Sequence, residues 1–212
     1  MLAIFKREFK SYFQNVIGWL FVAALLAVYG LYFYVYNLKN GYPYISYDLK
    51  GIGFIMMIAV PILTMRSLSD EKKTKTDQLM LTSPVSVGRI VAGKYFAMAA
   101  VYTIVIALFA LSPLVLSIYG KVALSEAYVA LFGYWLYGLS CIAVGLFISS
   151  ISESVIISAI LTFTALFLSY MMQSITGLIS SSGNLLTKVL NCFDLYTPFE
   201  NFVSGCFSVT SA

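Results

Sequence analysis

Five stretches of this chain, 16–36, 51–65, 95–119, 127–151 and 154–179, contain no charged residue. A helix rises 1.5 Å per residue, so about 20 apolar residues cross a hydrocarbon core roughly 30 Å thick. In lipid only helices and closed barrels satisfy their own backbone polar groups, and uncharged runs of this length suit helices. Just 10% of the 212 residues are charged and 60% are apolar, whereas soluble domains run about 25% charged. The expectation is an all-α polytopic membrane protein with five spans and no separate soluble domain. The second run is the weak one. From 51 to 65 a helix rises only about 22 Å, so it must begin near Ile45 or continue through Arg66, whose side chain can snorkel; Pro61 invites a kink.

Lys and Arg near the span ends set the orientation. With the N-terminus cytoplasmic, Lys6, Arg7, Lys10, Arg66, Lys72, Lys73, Lys75, Arg89 and Lys94 lie inside, and Lys39, Lys50, Lys121 and Lys188 lie outside. The outer segments are then 37–50, the turn around Lys121 and the tail from about 180, and "SSISES" is a short inner turn. Despite a net charge of +4, the basic residues flank apolar runs instead of forming a stripe, so no nucleic-acid partner is expected. The opening "MLAIFKREFKSYFQN" mixes charge throughout and has no apolar core of a cleavable signal peptide.

Residues 1–15 form their own element. Phe5, Phe9, Tyr12, Phe13 and Val16 share one helical face and Lys6, Lys10, Gln14 and Asn15 the other, the pattern of a helix lying in the cytoplasmic interface or of a basic flank to the first span. In the tail, Leu185, Leu186, Val189, Leu190 and Phe193 make a short amphipathic series, and Pro198 is placed to start a second short helix.

The chain has no histidine, which removes the commonest metal ligand and the commonest general base near neutral pH. Cys141, Cys192 and Cys206 lack zinc-ligand spacing. Cys141 reads as a packed, inert thiol, whereas spacing leaves open whether Cys192 and Cys206 pair. No G-x-x-x-x-G-K-[ST] phosphate loop is present, so the chain is not expected to be an enzyme or to hydrolyse ATP. An intramembrane enzyme is disfavoured because the polar groups assigned to the spans are Ser, Thr, Gln173 and Tyr hydroxyls, without an acid or base.

The connector 66–86, "RSLSDEKKTKTDQLMLTSPVS", concentrates charge between the second and third spans. Its first half must face water, whereas Leu79, Met80 and Leu81 favour burial. Ser83 before Pro84 reads as an N-cap and first-turn proline opening the helix that leads into the third span. The apolar trio either docks into a groove of a soluble partner or lies back on the lipid surface.

The order of an N-terminal interfacial helix, a span, a span ending in "SDEKK", then "QLMLTSPVS" and "RIVAGKYFA" resembles the permease subunit of type-2, export-class ABC transporters. Within these it is most similar to the small permeases of gliding-motility ABC systems. The resemblance covers nearly the whole chain and is most specific over 69–95. It implies a multi-pass protein of the cell inner membrane, built from two permease chains, identical or different, and two cytoplasmic ATP-binding cassette subunits. The connector would be a coupling helix seated in the ATPase, with Asp70, Glu71, Lys72, Lys73, Gln78, Leu79 and Leu81 as the contact set. ATP and Mg would be bound by that partner, with no cofactor in this chain. Two departures stand out: Lys75 where a glycine is common, and Asp77–Gln78 in place of an apolar–Glu pair. The tail of the family resembles a pair of short outer re-entrant helices followed by a sixth span, here expected beyond Ala212. A membrane scaffold or assembly factor without transport is the alternative.

Substrate-path candidates are Thr164, Tyr170 and Gln173 of the fifth span, although Ser and Thr also bond back to helix carbonyls and hold helices together. Gly138 and Gly145, seven residues apart, suit close helix contact in the fourth. Aromatic belts account for the 16 Tyr and 16 Phe.

Overall fold

The computed structural model describes residues 2–75, 86–119, 122–179 and 196–203, which are mostly helical and contain no strand. The elements are α1 (Leu2–Gln14), α2 (Val16–Tyr32) prolonged by a π-helix (Phe33–Lys39), α3 (Ile45–Thr64), α4 (Ser69–Lys73), α5 (Val87–Phe109), α6 (Ser112–Tyr119), α7 (Leu124–Ile151), α8 (Val155–Ile179) and α9 (Tyr196–Val203). Five helical stretches are long and apolar enough to cross a membrane: Val16–Lys39, Ile45–Lys73, Val87–Ile118, Leu124–Ile151 and Val155–Met172.

α3 is the hub, packing against α2, α7 and α8, while α5 packs against α1, α2 and α7. Leu49, Ile52, Met56, Val60 and Leu63 of α3 are fully buried at the three- and four-residue steps that keep one helical face inward. Two glycines of α7 admit the close approaches. A Cβ on Gly138 would fall 2.2 Å from the Tyr102 ring, and one on Gly145 would fall 2.5 Å from Thr64 Oγ1. The Tyr102 hydroxyl, held over Gly138, donates to the Tyr134 carbonyl at 2.7 Å. Cys141 is a buried free thiol one turn further on.

Asn15 separates α1 from α2, and the corner is tight. The Trp19 indole donates to Phe13 O at 2.9 Å, and a Cβ on Gly18 would meet the Tyr12 carbonyl oxygen at 2.4 Å. Phe9, Tyr12 and Phe13 pack on the core while Lys6, Lys10, Gln14 and Asn15 stay exposed. Val16 leaves the face assigned to it and begins α2 exposed.

The second span reaches its length from the N-terminal side: α3 starts at Ile45, the π-helix carries the first span to Lys39, and a turn at Gly41 with φ +70° joins them. The outer segment read as 37–50 thus shrinks to 40–44. This overturns one inference from composition, that no acid is buried in the bundle. Asp48 is 0% exposed and bonded to the Asn37 amide. Charge interrupts an apolar run in sequence, but pairing with Asn37 lets the helix carry that charge-bearing residue inside.

Of the tail, α9 is described, beginning two residues before Pro198. Tyr196 and Phe199 dock it: Phe199 stacks on Tyr137 at 5.2 Å and Tyr196 meets Tyr170 edge-on at 4.6 Å. Burial, then Tyr170 and Glu200, push the Tyr196 phenol up to about 12. Leu185–Phe193 and the residues after Val203 lie outside the described residues.

Candidate functional site

The charged residues converge where α3 ends. After Thr64 the chain turns, and α4, one and a half turns long, forms from "SDEKK" with its acids first and its lysines last, the arrangement that complements a helix dipole. Its leading amides are capped from another span: Ser149 Oγ of α7 accepts from Leu68 N at 3.2 Å and Ser69 N at 3.3 Å. Lys72 Nζ donates to the Ser150 carbonyl. α4 is therefore fastened to the end of α7, beside the turn into α8.

On its other side α4 is held by α5. Lys94, 2% exposed, donates from Nζ to Ser67 O at 2.8 Å and to Glu71 Oε1 at 2.7 Å. Glu8 of α1 lies 3.4 Å from the same ammonium, and Arg7 Nη2 reaches Glu8 Oε1 at 2.7 Å and Glu71 Oε1 at 3.8 Å. A buried cation that satisfies three acceptors offsets its desolvation, whereas an unpaired one would not. Tyr12 OH donates toward Leu63 O at 3.5 Å. Burial, then the Glu8 carboxylate, hold its phenol above the ordinary value, so it stays a donor. These groups border an open polar cleft of about 580 Å³, also lined by Arg66 and Asp70. Among the described residues no cluster of His, Cys, Asp or Glu could hold a metal ion.

α4 ends on Thr74, and Lys75 adopts φ 55°. That left-handed conformation costs a side-chain-bearing residue roughly 1–2 kcal/mol and is the usual setting for glycine after a helix. The residue type the resemblance leads one to expect at position 75 is the one its backbone favours.

The contact set divides. Asp70 and Lys73 are exposed, whereas Glu71 and Lys72 are committed to bonds within the chain. Gln78, Leu79 and Leu81 lie outside the described residues. The path candidates do not converge. Thr164 is exposed and donates to Ile160 O of its own helix at 2.8 Å, while Tyr170, six residues and some 240° around α8, packs on Phe54 and Tyr196. The Gln173 side chain lies outside the described residues.

Sequence reasoning passed over Glu8, Lys94 and Ser149. Lys94 was counted only as a topology signal, yet it lies on the stripe Ile90, Ala97, Met98, Val101 and Val105, all buried. A lysine in register with an apolar stripe was the available clue.

A family model described as ABC-2 family transporter protein matches residues 31–209, which include α4 and the whole connector. No curated protein and no solved structure matches the chain.

Proposed function

Given that the chain belongs to the ABC-2 transporter family and is a multi-pass permease subunit of an ABC transporter, we propose that its 66–86 connector couples ATP hydrolysis in a separate cassette subunit to movement of a substrate across the cytoplasmic membrane. The observation that carries this reading is the anchoring of α4. The helix is tied to α1 through Arg7 and Glu71 at 3.8 Å, to α5 through Lys94 and to the end of α7, so a force on the connector reaches three elements directly. A ligand or partner shifts a conformational equilibrium only through contacts that differ between its states, and a loosely tethered connector would pass on little of that difference.

In this proposal Asp70, Lys73, Gln78, Leu79 and Leu81 face the ATPase, and Glu71 and Lys72 hold the helix in place. The chain itself carries no catalytic group; ATP and Mg belong to the partner. Two permease chains, identical or different, complete the transporter in the inner membrane with the N-terminus cytoplasmic, and the gliding-motility permeases are the subfamily this proposal favours.

Changing Leu79 and Leu81 together to Asp is expected to abolish co-purification of the ATPase subunit while the permease still inserts. An unchanged yield of complex would refute the coupling role and favour a scaffold or assembly factor, which needs no ATPase.

A further inference from the structure

At the opposite end of α3, about 24 Å from Thr64 at 1.5 Å per residue, Asp48 is buried with Asn37. Asp48 is 0% and Asn37 4% exposed. The Asn37 amide donates from Nδ2 to Asp48 Oδ2, and among the described residues Oδ1 of both side chains has no partner. Two buried acceptors without a donor are what remains when one proton is omitted. An aspartate Oδ1 that carries a proton becomes a donor, and Asn37 Oδ1, on the amide already bonded to this carboxyl, is an acceptor that lacks one.

Asn37 reaches this position because the helix changes pitch. Phe21, Leu25 and Tyr29 mark the inward face of α2; eight residues on from Tyr29, an unbroken α-helix would overshoot that face by roughly 80°. The wider π-helical turns over Phe33–Lys39 bring Asn37 back to it. Such π segments often mark functional positions.

Among the described residues no Lys or Arg forms an ion pair with Asp48. From α2 the Tyr29 hydroxyl is bonded to Ser112. On α3 itself Lys50 pairs with Glu200 of α9 at 3.5 Å. Lys39 of the π-helix is exposed, and the groups that α7, α8 and α9 contribute to the core shared with α3, Tyr134, Tyr137, Cys141, Tyr170 and Tyr196, carry no positive charge. Asp48 stands in the first turn of α3, where the helix dipole favours an anion, but that favour is small beside the cost of burying an unpaired charge.

We propose that Asp48 is a proton-binding site: its carboxyl carries a proton on Oδ1 and donates it to Asn37 Oδ1, closing a two-bond acid–amide pair that latches the π-helix to the start of α3. Uptake forms one O–H bond on Oδ1 and release returns the proton to solvent, with no other bond made or broken. Deprotonation leaves Asp48 and Asn37 with two facing acceptors, so the latch loosens as pH rises. A permease so built has a proton-sensitive element at the end remote from its connector.

The test is infrared spectroscopy of the full chain in lipid, labelled with ¹³C-aspartate. At neutral pH a protonated aspartic-acid C=O band is expected, lost at high pH and missing from Asp48→Asn, which keeps the shape and neutrality of the pair. Heat stability of the wild type is expected to fall as pH rises towards alkaline values and that of D48N to change less. If D48N does not fold, the labelled wild-type spectrum decides alone. A carboxylate-only aspartate spectrum at neutral pH, or an unchanged acid band in D48N, would overturn the proposal.

Discussion

Replacing Lys94 with Met tests whether the charge cluster organises the connector. The substitution keeps an unbranched apolar stem in the α5 stripe and removes the ammonium, so Ser67 O, Glu71 and Glu8 each lose a partner. Breaking a fully buried ion pair costs about 3–5 kcal/mol, mostly as the burden of the remaining charge. Here the Glu71 and Glu8 side chains keep 18% and 15% exposure, and Arg7 stays 2.7 Å from Glu8 and 3.8 Å from Glu71. Solvent and Arg7 therefore recover part of the loss, leaving a cost of about 2 kcal/mol. For a chain this long, that lowers the midpoint by about 4–8 °C. The buried Cys141 thiol supplies the assay: heat-dependent labelling in detergent, with Cys192 and Cys206 replaced by Ser. Adding Glu71→Gln to the Lys94→Met variant should return part of the loss, since contacting charges are coupled. A midpoint unchanged within error, or strict additivity of the two substitutions, would refute the view that Lys94 clamps the connector.

Lys75→Gly relieves the φ 55° backbone and, net of the freedom glycine gains in the unfolded chain, is expected to leave stability unchanged or raised by up to about 1 kcal/mol, whereas Lys75→Val should lower it; the same thermal assay reads both. Gly138→Ala places a methyl into the Tyr102 ring, and Tyr102 is fully buried and bonded to Tyr134 O. A loss of about 1–3 kcal/mol is expected, and Gly138→Ala should cost much less in a Tyr102→Ala background, where the ring is gone; an equal cost in both backgrounds would refute the steric reading.

How much of this could be read before the fold was known follows from the range of each interaction. Whether a stretch crosses lipid depends on its own length and apolarity, so the five spans were visible residue by residue. The amphipathic face of α1 and the proline-led start of α9 are local in the same sense, whereas a helix in the connector was implied only by the family resemblance. The boundaries at 37–50 were not visible, because Asn37 and Asp48 look like loop residues until each supplies the other's partner across two helices. Its charge grouped Lys94 with the connector, beside which it lies, but its role needs Glu8 from 86 residues upstream and Glu71 from 23 upstream. Ser149 was one serine among many until α4 was found to present two free amides to it. Hydropathy is a sum over neighbours in the chain and survives in the sequence; the satisfaction of a buried polar group is a relation between distant segments, and it exists only once the helices have packed.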